Sequence, residues 1–261
     1  MFPISDDNPT LRRPIITWMI VGLTALVWLL FQGAGLDLGR MAYSVCDFGM
    51  VPGEITKQAR VGFAVPLGGG WACVVDREAI NTFTPITSMF LHGSWGHIIG
   101  NMMFFWVFGN NVEDSMGHAR FVLFYLLCGI AAAAAHVYVT PSSPVPTVGA
   151  SGAVSGIMGA YLVLFPHVRV RMLFWFLLFI RVIPIRAWIV LLWWFAWQVI
   201  SGLPELMQMR PEISGGVAVW AHVGGFVTGA LLIKLFARKE FLTERAMVLH
   251  ANKTAGHTFE P

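Results

Sequence analysis

Charge is scarce in this sequence. Asp, Glu, Lys and Arg make up 12% of its 261 residues, about half the share of an ordinary soluble domain, while 56% are hydrophobic and mean hydropathy is +0.68. Water is therefore not the main solvent of the chain. The formal net charge is only +3, with no basic face or stripe, which excludes nucleic-acid binding. There is no H-E-x-x-H and no carboxylate in the outer half of an apolar run to complete a metal site, so no metal or other cofactor is expected. No small-x-small cleavage site follows the first apolar run, which is expected to stay in place. Three cysteines are present: Cys46 and Cys73 share one polar loop and are either disulfide-bonded or two free thiols, while Cys128 sits in an apolar run.

What the chain has instead is apolar length. Runs cover Ile15 to Phe31, Ile86 to Phe108, Phe121 to Val139, Val148 to Phe165, Ala187 to Ile200 and Val217 to Phe236. Each approaches the roughly 20 apolar residues that a helix needs to cross a bilayer. The sequence predicts an all-α membrane protein with six transmembrane helices spanning residues 15–237, a polar segment before them (1–14) and a polar, flexible tail after them (238–261). A loop over about residues 36–85, rich in Gly and Pro, follows the first span. The apolar stretch Met172 to Ile183 is interrupted by Arg181, Pro184 and Arg186; it reads as an interfacial or loop element, or as a longer helix bent at Pro184. Arg12 and Arg13 precede the first run, so the N-terminus should be cytoplasmic, and an even span count returns the tail to the same side. That topology places 12 of the 17 basic residues in cytoplasmic segments and leaves Arg40, Lys57, Arg60, Arg77 and Arg210 outside.

Polar groups inside spans are expensive, and each is a functional candidate by default. Four stand out: His97 and Asn101 in the second run, Ser151 in the fourth and His222 in the sixth. These three spans run in the same direction, and all four residues fall toward the outer end. His97 and Asn101 are four apart and share a helix face. Small residues around Ser151 (Gly149, Gly152, Gly156) and after His222 (Gly225, Gly229) let two helices approach closely, although such spacing by itself is a common packing device. Serine needs a base to become a nucleophile, and histidine is the usual one near neutral pH. With no carboxylate to orient His222, the residues predict a Ser151–His222 dyad rather than a triad. His97, Asn101 and the Ser151 N–H are the candidate oxyanion donors. His92 reads as an interfacial or loop-anchoring residue, and Glu113 and Asp114 as braces of a turn.

These residues resemble the rhomboid protease family. G-x-S-G reads Gly149-Ala150-Ser151-Gly152, H-x-x-x-N runs from His97 to Asn101, and A-H-x-x-G reads Ala221-His222-Val223-Gly224-Gly225. Thr87 to Gly93 and Phe108 to Asp114 also look like bacterial members. The resemblance implies a six-helix core and cleavage of transmembrane protein substrates near their outer end. It also implies lateral substrate entry beside the second and fifth helices, where this chain carries Trp193, Trp194 and Trp197. A bacterial inner membrane is the expected home, with membrane lipid as the surroundings. Two departures stand out: Phe83 and Thr84 replace a Trp-Arg pair of the first loop, and Ser155 replaces an aromatic four residues after the nucleophile. The rival reading is a non-catalytic rhomboid-like protein that binds transmembrane clients; such proteins typically lack the serine or the histidine, and both are present here.

Overall fold

A computed structural model describes residues 2–176, 179–207 and 218–254. Arg210, Val217 and the tail beyond Thr254, which figure in the expected topology, lie outside the described residues. The chain opens with strand β1 (Phe2–Asp6) and helix α1 (Ile15–Leu26), which continues through a wider turn over Val27–Phe31. α1 starts where it does because a distant carboxylate caps it. Glu113 accepts the Ile16 and Thr17 N–H groups at 2.9 and 2.8 Å and the Thr17 hydroxyl at 2.7 Å, satisfying donors that a helix start leaves free.

The loop after α1 is ordered. Helix α2 (Leu38–Phe48), short helix α3 (Pro52–Ile55), strands β2 (Ala64–Gly68) and β3 (Trp71–Val74) and short helix α4 (Thr84–Thr87) follow in turn. Gly69 and Gly70 link the two strands with left-handed φ of 60° and 84°, the geometry of a two-residue hairpin turn. A Cys46–Cys73 disulfide ties α2 to β3 and decides between the two open alternatives. In α3, Glu54 is buried and accepts the Asp76 N–H at 3.1 Å; burial pushes its carboxyl up to about 7. The unfolded chain releases this proton near 4.5 while the folded chain keeps it to about 7, so this group makes stability fall as pH rises across that window. Glu54→Gln is expected to make the fall shallower in thermal unfolding at a series of pH values, and an unchanged slope would contradict the assignment.

Helix α5 (Trp95–Met116) begins later and ends later than the apolar run predicts. Ser94 caps its N-terminus, accepting the His97 N–H at 3.2 Å. Its far end stays helical through Asn110 to Asp114 because the first residues of the chain satisfy the polar groups there. Asp114 accepts the Leu11 and Arg12 N–H groups, each at 3.0 Å, and Arg245 Nη1 at 2.7 Å. Helices α6 (His118–Val139) and α7 (Ser151–Leu164) follow.

The stretch expected to be interfacial or helical is a β-hairpin. β4 (Arg169–Phe176) and β5 (Phe179–Arg186) pair antiparallel, and β1 adds to β4 in the order β1-β4-β5. Val170 and Met172 alternate into the core, and Pro184 lies on the edge strand, where a missing N–H is tolerated. The fold is thus mostly helical rather than all-α. Helix α8 (Ala187–Leu206) outlasts its predicted run by six residues, and α9 (Val219–Phe236) follows the segment left undescribed. The tail is helical rather than flexible over α10 (Lys239–Thr254), anchored by the buried Arg245, which reaches Asn8 and Asn111 at 2.5 and 2.6 Å besides Asp114.

α5, α6, α7 and α9 share the core, with Phe105, Phe108, Phe121, Phe124, Tyr125, Ile157 and Tyr161 fully buried. Large apolar side chains face outward, among them Leu30 (67% exposed), Trp197 (59%) and Leu235 (76%). That is the inverse of a water-soluble surface and the expected face toward lipid. α6, α8 and α9 are long and apolar enough to cross a membrane, while Ile15–Phe31 and α7 are shorter apolar helices.

Candidate active site

Three helices begin at the end of the bundle covered by the disulfide-bonded loop. His97 is in the first turn of α5, Ser151 is the first residue of α7 and His222 is in the first turn of α9. Their far ends meet the N- and C-terminal segments: the Arg238 N–H donates to the Ser115 carbonyl of α5 at 2.9 Å, and Tyr161 of α7 hydrogen-bonds Asp6. All four residues singled out in the sequence stand on the wall of one cavity of about 230 Å³, together with Ser155 and Trp194. Ser151 and His97 also border a second cavity of about 630 Å³, lined by Ser88, His136, Thr147 and Glu205.

Glycine sets the approach of α7 to α9. A Cβ on Gly225 would lie 2.0 Å from the Gly152 carbonyl oxygen, and one on Gly229 would lie 1.9 Å from that of Gly156. The two backbones touch, which brings the starts of both helices together. Gly149 does something different. Its N–H donates to the Ser88 carbonyl at 2.9 Å and its φ is +130°. A Cβ there would stand 2.7 Å from His97 Nε2 and 3.6 Å from Ser151 Oγ, so the gap between imidazole and hydroxyl is the space of the missing side chain.

The residues that carry polar hydrogens share one cavity wall. The Gly93 N–H donates to His97 Nδ1 at 3.4 Å, which leaves the ring proton on Nε2, the atom beside Gly149. Ser151 opens α7, so its backbone N–H has no partner within the helix, and the positive end of the helix dipole lies there. Asn101 is buried one turn below His97 and donates one amide hydrogen to the His97 carbonyl at 3.0 Å, keeping a second. Among the described residues no hydrogen bond joins Ser151 Oγ to His222; contacts of this kind commonly tighten only when substrate arrives.

His92 is fully buried, and its contacts fit the loop-anchoring alternative. Its ring lies 5.0 Å from that of His97, and Gln32 holds its backbone N–H and carbonyl, both at 2.9 Å. Glu113 and Asp114 brace the opposite end of the bundle. Two polar residues escaped the sequence reading. His136, in the last turn of α6, borders the larger cavity and meets Thr147 Oγ1 at 3.2 Å. Gln198, on α8, places Oε1 2.9 Å from His222 Nδ1. The rule that flagged Ser151 and His222 applies to both, since each interrupts an apolar run.

Comparison with known proteins adds to this geometry. The Rhomboid domain matches residues 81–239, more than half of the chain and all four site residues. The chain is 39% identical over 150 residues to "Rhomboid protease GluP" of Bacillus subtilis (strain 168), covering 58% of this chain and 24% of that protein. It is 38% identical over 164 residues to "Putative rhomboid protease YdcA" of the same strain, covering 62% of this chain and 69% of that protein. It is 29% identical over 150 residues to "Rhomboid protein 1, mitochondrial" of Saccharomyces cerevisiae, covering 56% of this chain and 39% of the yeast protein. The matched region thus spans under two fifths of the yeast protein and about a quarter of GluP. With its lipid-facing apolar helices, this chain is an integral membrane protein and belongs to the rhomboid family.

Proposed function

We propose that this chain is an intramembrane serine endopeptidase that cleaves transmembrane protein substrates near the outer membrane face. The observation that carries the proposal is the shared cavity: Ser151, His222, His97 and Asn101 line one space at the start of three helices. The catalytic unit extends over residues 15–237 as six spans, with both termini in the cytoplasm of a bacterial inner membrane. Ser151 lies at the extracytoplasmic end.

In the proposed reaction His222 takes the Ser151 proton as Oγ attacks the scissile carbonyl. The oxyanion faces the Ser151 N–H, His97 Nε2–H and the free amide hydrogen of Asn101, donors that are already in place before charge develops. His222 then gives its proton to the leaving amine, and water entering through the larger, partly polar cavity hydrolyses the acyl-enzyme. Gly149 is needed in this scheme as empty space. Gly149→Ala is expected to lower kcat about 10²-fold by displacing His97 or Ser151, at a backbone-strain cost of about 1–3 kcal/mol. Cleavage assays with parallel thermal unfolding check this, and a variant as active as the native chain would contradict it.

The reading is tested by incubating a model transmembrane substrate in liposomes with the native chain, Ser151→Ala and His222→Ala, with and without a chelator. Cleavage by the native chain alone, unaffected by chelator, is expected. Binding without cleavage across a substrate panel would favour the client-binding reading, and chelator-sensitive cleavage would favour a metal reading.

A further inference from the structure

A histidine that takes a proton through Nε2 must carry its own hydrogen on Nδ1 and be held from rotating, and among the described residues no hydrogen bond joins a carboxylate to His222. The residue one turn after the nucleophile is Ser155, whose hydroxyl donates to the Ser151 carbonyl at 2.6 Å. α7 therefore orients its own serine and leaves the imidazole to another element. That element is α8. Gln198 is nearly buried within its apolar run, and its Oε1 lies 2.9 Å from His222 Nδ1. One turn earlier, Trp194 places its ring 5.7 Å from the His222 ring at an interplanar angle of 40°. α8 thus reaches the imidazole at its edge through an amide oxygen and near its face through an indole.

We propose that Gln198 is the positioning residue of His222: its side-chain carbonyl accepts the Nδ1 hydrogen, fixes the tautomer that leaves the Nε2 lone pair toward Ser151, and locks the ring against rotation. This rests on the reading of Ser151 and His222 as nucleophile and base. A neutral amide suits the place. A carboxylate there would be desolvated among Trp194, Phe226 and lipid-facing side chains, whereas an amide accepts the same hydrogen without a buried charge to stabilise. Seating α8 is then part of building the base. Gly202, one turn beyond Gln198, supports this contact, since a Cβ there would lie 2.9 Å from the Trp220 ring at the start of α9.

Gln198→Leu and Gln198→Glu in the full chain in liposomes, assayed for kcat, KM and the pH–rate profile, test the assignment. The titratable side chains that act electrostatically on His222 are two other histidines, His97 of α5 and His136 of α6, and neither is altered by these substitutions. Leucine keeps the volume and removes the acceptor, so kcat should fall about 10²- to 10⁴-fold with KM changed less than about threefold. Glutamate restores an acceptor and adds negative charge, which favours the protonated ring. It should recover part of the lost kcat and move the acid limb of the profile to higher pH. A residue needed only for packing would lower thermal stability in both variants and leave the acid limb in place, and that result overturns the proposal. So does native kcat in Gln198→Leu. If Gln198→Glu fails to fold, the rate at which a fluorophosphonate labels Ser151 decides: a rate in Gln198→Leu equal to native overturns the proposal, and a rate lowered in proportion to kcat supports it. Cleavage that persists in His222→Ala would instead sink the dyad itself, so the two failures are distinguishable.

Discussion

Ser151→Ala and His222→Ala are each expected to reduce cleavage of a membrane-embedded substrate by about 10⁴- to 10⁶-fold, because either one removes the whole nucleophilic step. The residual rate would come from the oxyanion donors and substrate positioning, which both variants keep. Residues that act as one unit are not additive, so the double variant should be no slower than Ser151→Ala alone. Single-turnover assays in proteoliposomes read this directly. Multiplicative losses in the double variant would mean that the two residues act in separate steps. Neither substitution should weaken the fold much: Ser151 occupies a helix start beside a cavity, and the contacts that hold α9 lie deeper, at Gly225 and Gly229.

Those glycines carry the second large effect. Gly225→Leu and Gly229→Val place carbon where the α7 backbone already is, 2.0 and 1.9 Å from carbonyl oxygens of Gly152 and Gly156. Overpacking against side chains typically costs about 1–3 kcal/mol, and a helix backbone yields less than a side chain does. The expected loss is about 3 kcal/mol or more, seen as poor recovery of folded protein and a lowered unfolding midpoint. The comparison substitution is Gly22→Ala in α1, where an added Cβ would meet nothing within 4 Å beyond its own helix turn. It should be neutral or stabilise by about 0.5–1 kcal/mol through helix propensity alone. Equal effects at Gly22 and Gly229 would show that close backbone approach is not what the glycines serve.

The residues of the candidate site were legible in the sequence because burying a polar group in a membrane is costly, and that cost singles out His97, Asn101, Ser151 and His222, which the fold brings to one cavity. The same rule reaches Gln198 and His136, each interrupting an apolar run, but their partners are remote in sequence: Gln198 is identified by His222, on another helix. Hydropathy misplaced the start of α5 because Ile86, Met89, Phe90 and Leu91 extend the apolar run, whereas the Ser94 cap, a local signal, sets the boundary. The β4–β5 hairpin was obscured because apolar residues occupy both faces, so its alternation shows only once Val170 and Met172 are seen to be buried. α10 reads as a polar tail because what holds it is not local. Arg245 finds Asp114, Asn111 and Asn8 more than 130 residues away.

Covalent labelling tests whether Ser151 is a nucleophile activated by His222, and it needs no knowledge of the substrate. The liposome-reconstituted chain is treated with a fluorophosphonate and analysed by peptide mass spectrometry. A single adduct on Ser151 is expected, absent in Ser151→Ala and formed far more slowly in His222→Ala. An adduct on another residue, or labelling of Ser151 at the same rate without His222, would contradict it.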